Sequence, residues 1–333
     1  MEAALRVVNS GMTALTHVAV ERSDARLTWD YSRGRDRIAR LTAEARQAQW
    51  SIDDLAWETQ VEPGRLITRE ALMAFLGDPD LEAKPFASWG NGEWVDFGIQ
   101  MQSWVLSQTI HCEQGALVCA GKLVKAVPWI DGKYFGVTLA MDEARHAEVF
   151  SRYLEACQAG RYAINAHLCQ LLDDVIADSR WDVSHLGMQV IIEGANLATI
   201  GLLRQVADEP LFAQLFGLVM ADEGRHLDFA AVSLAEVYAG LSAPEIRERQ
   251  AFALEALMTL RDRVLGQEVW ERIGVSPASA AQLTMRSAGL TLLRQQVLSA
   301  VAARLSILGL LDAGDGWLRD HLDERGVQCA VRR

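Results

Sequence analysis

The sequence predicts an all-α protein, a four-helix bundle carrying additional N- and C-terminal helices. Three observations predict it. Ala, Leu, Glu and Arg are abundant in a chain of 333 residues that is 50% hydrophobic, and the seven prolines fall outside the strongest periodic segments. No stretch alternates convincingly with the period of a strand. Finally, one constellation of ionisable residues is written twice at helical spacing.

That constellation organises the chain. Asp142-Glu143-Ala144-Arg145-His146 and Asp222-Glu223-Gly224-Arg225-His226 write one pattern at two places. Each holds Glu-x-x-His, a spacing that keeps both side chains on one helix face. Glu113 precedes Glu143 by the same interval at which Glu193 precedes Glu223. A helix through Glu113 can run to Val127, where Pro128 stops it, and the next can start near Gly132. Glu113 and Glu143 then stand roughly 21 and 17 Å above the turn, nearly level. The break at Asp208-Glu209-Pro210 treats Glu193 and Glu223 alike. Two helix hairpins thus bring Glu113, Glu143, His146, Glu193, Glu223 and His226 to one layer, the pattern of a carboxylate-bridged dinuclear metal site.

Each of these groups interrupts an apolar face. The four stripes are Leu106-Ile110-Glu113-Leu117-Val124, Leu139-Glu143-His146-Phe150-Leu154, Leu186-Val190-Glu193-Leu197-Ile200 and Phe216-Val219-Glu223-His226-Ala230. A lone buried carboxylate costs several kcal/mol unless it is paired or metal-bound. Four unrelated buried ion pairs with Arg145 and Arg225 are the bland alternative, and a shared cation explains the common height better.

Taken in order, residues 1–30 read as a helix with a polar exit, and a second helix runs from Arg33 to Gln49. Trp50 and Trp57 follow, more simply read as packing than as chemistry. Thr68 caps a short helix, Arg69 to Leu76, ended by Gly77-Asp78-Pro79. The bundle helices span Pro85 to Val127, Gly132 to Ala159, a third capped by Ser184 and running to Val206, and Pro210 to Gly240. A crossover helix, Tyr162 to Asp178, joins the two hairpins. The tail reads as helices from Glu245 to Ile273, from Pro277 to Leu311, and a short Trp317 segment. In domain terms, residues 1–84 pack on the bundle of 85–240, and 241–333 extend it within one compact domain.

Composition narrows the partners. A net charge of −12 argues against nucleic acid. Five cysteines without Cys-x-x-Cys spacing suit a reduced, cytoplasmic protein. The stretch from Met1 to Val20 lacks the basic start and apolar run of a signal peptide, and no uncharged apolar run reaches membrane-span length, so no membrane partner is expected.

With the paired motifs in place, the chain resembles ferritin-like di-iron carboxylate proteins over roughly residues 35–240. The resemblance is to the oxygen-activating branch (bacterial multicomponent monooxygenase hydroxylases, ribonucleotide reductase small subunits, arylamine N-oxygenases) more than to ferritin. Gln49-Trp50 through Trp57 to Pro63 is similar to a segment preceding the bundle in many of them. The resemblance implies that Glu113, Glu143 and His146 hold one iron and Glu193, Glu223 and His226 the other, with Glu143 and Glu223 bridging. It implies that Asp222 orients His146, that Asp142 orients His226, and that Arg145 and Arg225 balance charge. Three departures stand out: Phe150 where reductase subunits usually place a tyrosine, Leu197 where hydrocarbon hydroxylases place a threonine, and Val219 where N-oxygenases add a histidine.

The expected function is an O₂-dependent non-haem di-iron oxidase or monooxygenase acting on a small or carrier-bound organic substrate. O₂ is its co-substrate, and a reductase or ferredoxin supplies electrons. A homodimer is expected. Iron storage, or a manganese/iron oxidase, is the alternative, since the same ligands accept Mn(II). Leu106, Ile110, Leu139, Phe150, Leu186, Val190, Leu197 and Phe216 are candidate pocket walls, or plain core. Gly115, Gly194 and Gly224 are expected to leave space near the ligands for O₂ or substrate.

Overall fold

A computed structural model of the chain describes residues 25–62, 67–76, 86–157, 160–206 and 209–329. Among the described residues the ordered elements are all helical. The predicted first helix lies outside the described residues up to position 24, and residues 25–35 are not helical.

Helix α1 (Asp36–Gln47) forms because Ile38, Leu41, Thr42 and Ala45 make one buried stripe at helical spacing. It packs on α4 and α8, so that Gln49 and Trp50 leave it directly above their motifs. Helix α2 spans Arg69–Leu76. The first long helix, α3 (Asn91–Ala126), begins later than expected, behind a 3₁₀ turn at Phe86–Ser88. Glu93 accepts the Gly90 N–H to close its N-terminus, and its last turn gives way before Pro128. Across that short link α4 (Ile130–Ala156) packs along it.

Helix α5 (Ala166–Ala177) is capped by Asn165, whose side chain accepts from the His167 and Leu168 N–H groups. The next helix is continuous from α6 (Trp181–His185) through a π-helical segment (Leu186–Ile192) into α7 (Glu193–Val206). Ser184 does not cap it, as the sequence suggested. Its hydroxyl lies inside the helix, donating to the Val175 carbonyl and accepting from Lys122. Helix α8 (Pro210–Tyr238) starts at Pro210 with Glu209 as its cap. Contacts run from α3 to α4, α4 to α8, α8 to the π-helical segment, and that segment to α3.

The tail is more broken than the periodicity predicts. Gly266, at φ +70°, separates α9 (Ala243–Arg263) from α10 (Gln267–Arg272), a left-handed turn open to glycine at little cost. Ser287 ends α11 (Pro277–Arg286) and caps α12 (Ala288–Ile307) through the Leu290 N–H. Helix α13 spans Trp317–Glu324.

By length and composition, Trp181–Gln205 is the one helix among the described residues long and apolar enough to cross a membrane, at mean hydropathy 1.4. Yet 72% of that window is buried inside the protein. Its packing is tight at Gly187, where an added Cβ would meet Val175 Cγ2 at 2.6 Å and Phe252 Cζ at 2.9 Å. Gly187→Ala is therefore expected to cost about 1–3 kcal/mol, read as a lower denaturation midpoint. An unchanged midpoint would mean that α5 and α9 can retreat freely.

Candidate metal centre

The two motif helices, α4 and α8, face each other, and α3 and α7 each bring one glutamate to the same layer. Glu113, Glu143, His146, Glu193, Glu223 and His226 are all 0–2% exposed. One ligand atom from each of Glu113, Glu143, His146 and Glu223 lies within 4.8 Å of all the others, a buried group that could hold a metal ion.

The carboxylates of Glu143 and Glu223 are set symmetrically between the imidazoles. Glu143 Oε2 lies 3.6 Å from His146 Nδ1, and its Oε1 lies 3.4 Å from His226 Nδ1. Glu223 Oε1 lies 3.1 Å from His146 Nδ1, and its Oε2 lies 3.3 Å from His226 Nδ1. Glu113 Oε2 approaches His146 Nδ1 at 3.4 Å. His226 thus joins through Glu143 and Glu223. Glu193 stands outside the tight group, with Oε2 accepting from Asn196 Nδ2 at 3.3 Å while Asn196 Oδ1 takes the Thr109 hydroxyl.

Burial has left these groups unsatisfied. Glu113 Oε2, Glu143 Oε2, His146 Nδ1, Glu193 Oε1, both Glu223 oxygens and His226 Nδ1 are buried without a hydrogen-bond partner. Buried polar atoms are almost always paired, and here six of the seven face one another, with Glu193 Oε1 beside them. Hard carboxylate oxygens with neutral imidazole nitrogens form a donor set suited to divalent first-row metals. The residues fit a metal.

The outer faces of the imidazoles are held across the repeat. His146 Nε2 lies 3.1 Å from Asp222 Oδ2, and His226 Nε2 lies 3.2 Å from Asp142 Oδ2. Each motif therefore orients the other's histidine, as the resemblance implied, and leaves Nδ1 facing inward. Arg145 donates to Asp142 at 2.5 Å and to Asp222 at 3.0 Å, and Arg225 donates to Asp222.

Three residues that the sequence did not assign to the site belong to it. Trp50 is not mere packing: its indole N–H donates to Asp222 at 2.8 Å, and its ring stacks on His146 at 6.5 Å. Gln49 donates to Asp142 at 2.9 Å. Gln189, on the π-helical segment, donates to Glu143 Oε1 at 2.9 Å. Such segments recur at functional sites. The available signal was a polar residue one turn before Glu193 on an apolar face.

Two expectations about space are corrected. A cavity of about 240 Å³ exists, but none of the eight candidate walls lines it. Leu106, Leu139, Phe150, Leu186, Val190, Leu197 and Phe216 are buried in apolar clusters, and Ile110 packs against one, because they sit where the helices touch. The cavity lies on the other side of α3 and α7, bordered by α9–α12, and comes nearest the metal layer at Cys112, Ile192, Ala195 and Asn196. Nor do the three glycines leave space for a ligand. Gly115 admits Leu172 and Gly194 admits the Arg304 guanidinium, while Gly224 is exposed.

Charge in this layer is balanced by protons when metal is absent. Burial lifts Glu113 and Glu193 well above the ordinary carboxylate range, and neighbouring carboxylates push the same way. Burial opposes protonation of the imidazoles, but Asp222 and the glutamates at His146, and Glu223, Glu143 and Asp142 at His226, raise both well above the usual value. Glu143 moves down: burial resists, and the two imidazoles outweigh it. Asp222, despite burial, is held at about 2 by His146, Trp50 and Arg145. Raised values mean protons held at neutral pH, which an incoming cation must displace. Metal binding should therefore release protons and tighten as pH rises from about 6 to 8. Calorimetry in buffers of different ionisation enthalpy checks this, and a pH-independent affinity would contradict it.

No protein-family model matches the chain, and no curated protein matches it. The reading of the centre therefore rests on the residues themselves.

Proposed function

We propose that the chain is a ferritin-like four-helix-bundle protein whose buried layer holds two iron ions and uses O₂ to oxidise an organic substrate. One observation carries this reading: Glu143 and Glu223 each turn one oxygen toward each inward-facing imidazole nitrogen. That is the disposition of two carboxylates bridging a pair of cations. The two imidazole rings stand 6.0 Å apart, centre to centre, so both nitrogens would serve the same buried layer.

Iron, when bound, would supply the electrons that reduce O₂ and the oxidising power delivered to substrate. The chain's own residues have four tasks. Glu113 and His146 would hold one ion, and Glu193 and His226 the other. Asp222 and Asp142 keep the proton on Nε2 of His146 and His226, leaving each Nδ1 lone pair free to ligate. Gln189 fixes the Glu143 oxygen nearest His226. The apolar clusters above and below exclude water, so that charge changes are felt strongly. Repeated turnover would need an external electron donor.

The test is anaerobic Fe(II) loading followed by a measured pulse of O₂. Two irons per chain, with O₂ consumption that rises when a substrate is supplied, support the proposal. Loading far beyond two irons would favour storage, and a preference for manganese in mixed-metal loading would favour the manganese/iron form.

A further inference from the structure

The cavity beside the metal layer is not uniformly apolar. Along α3 and α7 its walls are residues such as Met101, Val105 and Leu203, and from the tail come Leu290 and Leu298. Its remote end holds Arg261, Thr284 and Arg294. Two of these have unused hydrogen-bonding capacity. The Thr284 hydroxyl oxygen is buried, in a residue 4% exposed, and has no partner among the described residues. Arg294, half-buried, donates among them to the Thr284 carbonyl at 3.0 Å and the Thr291 hydroxyl at 3.1 Å, leaving most of its five N–H groups free.

Charge points the same way. Arg261 is neutralised by a two-pronged contact with Asp262, 2.7 Å at each oxygen. Asp262 also attracts Arg294 from beyond ion-pair distance, and among the described residues no carboxylate forms an ion pair with Arg294. Two guanidiniums thus share one carboxylate, so the cavity's far end is net positive beside an unpartnered hydroxyl, with Arg294 held in place by the Thr284 backbone.

Position along α12 fixes what could lie there. Arg304, further along the same helix from Arg294, donates to the Gly194 carbonyl at 2.5 Å, next to Glu193. Arg294 therefore sits about 15 Å along α12 from the metal layer. The near end of the cavity reaches Asn196, which holds Glu193.

We propose that this cavity binds a medium-chain aliphatic monocarboxylic acid. The carboxylate is received by Arg294 and the Thr284 hydroxyl, and the chain runs between α3, α7 and α12 toward Asn196. A guanidinium and a hydroxyl match two carboxylate oxygens, and the apolar walls match an alkyl chain. As a substrate class this rests on the proposed oxidase function; as a binding site it needs no metal.

The experiment uses the full chain after chelator treatment, so that no metal can capture the carboxylate, and titrates it calorimetrically with decanoate and with 1-decanol. Decanoate should bind at least about tenfold more tightly than the alcohol. Arg294→Gln should erase that preference, Arg294→Lys should restore most of it, and Thr284→Val should weaken decanoate alone by about threefold. Equal affinity for acid and alcohol, no binding of either, or an unchanged preference in Arg294→Gln would overturn the inference. Should Arg294→Gln fail to fold, the acid–alcohol comparison and Thr284→Val decide. Iron content is measured separately: two irons per chain without decanoate preference sinks this inference alone, and decanoate preference without iron loading sinks only the oxidase.

Discussion

Glu143→Ala is expected to leave a folded chain that retains well under one metal ion, against the two proposed for the parent. The reason is geometric. Glu143 faces His146 through one oxygen and His226 through the other, so its loss removes a ligand from both positions at once. Outer groups that merely orient ligands are worth about 10–100-fold in metal affinity, and losing a carboxylate that faces both positions should cost more. Metal analysis after anaerobic loading and gel filtration gives the stoichiometry, and circular dichroism checks the fold. Glu223→Ala should behave alike, because its oxygens are disposed in the same way. Two ions retained in either variant would refute the bridging role.

Asp222→Asn will weaken metal binding about 10–100-fold while barely changing side-chain volume. Asp222 receives the Trp50 indole, Arg145 and Arg225, and lies against His146 Nε2. A carboxylate there only accepts, so Nε2 carries the proton and Nδ1 is free to ligate. An amide can present its NH₂ group to Nε2 instead, which drives the imidazole proton to Nδ1 and blocks the metal. The effect should fall mainly on the ion ligated by His146, giving one weakened and one near-normal site in a competition titration against a chromophoric chelator. Equal weakening of both ions would point to collapse of the Arg145 network rather than to the tautomer, and unchanged affinity would remove Asp222 from the site.

Much of the metal layer was legible because its signals are local and periodic. A helical step fixes Glu143 with His146, and an interval shared by both hairpins, with a proline break inside it, fixes the level of Glu113. The Asp142–His226 and Asp222–His146 pairs followed from resemblance and are present. Periodicity could not say which apolar residues touch each other and which face a void. Leu106 and Phe216 carry the same signal whether they line a cavity or fill a core, and they fill a core. It also could not foresee the π-helical segment, since an extra residue in one turn leaves no mark in composition. Gln189 was missed for that reason. The breaks at Gly266 and Ser287 were missed because the flanking helices continue the same apolar period.

The crossed arrangement of Asp142 and Asp222 has one more consequence. Each copy of the motif brings one glutamate and one histidine to the layer, and the aspartate that lies against the other copy's histidine. Neither copy is a self-sufficient half-site, and Arg145 clasps both aspartates so that they move together. The proposed pair of ions is therefore expected to load cooperatively in the parent, with singly filled chains scarce, and Asp222→Asn, by loosening one side of that clasp, should uncouple the two positions.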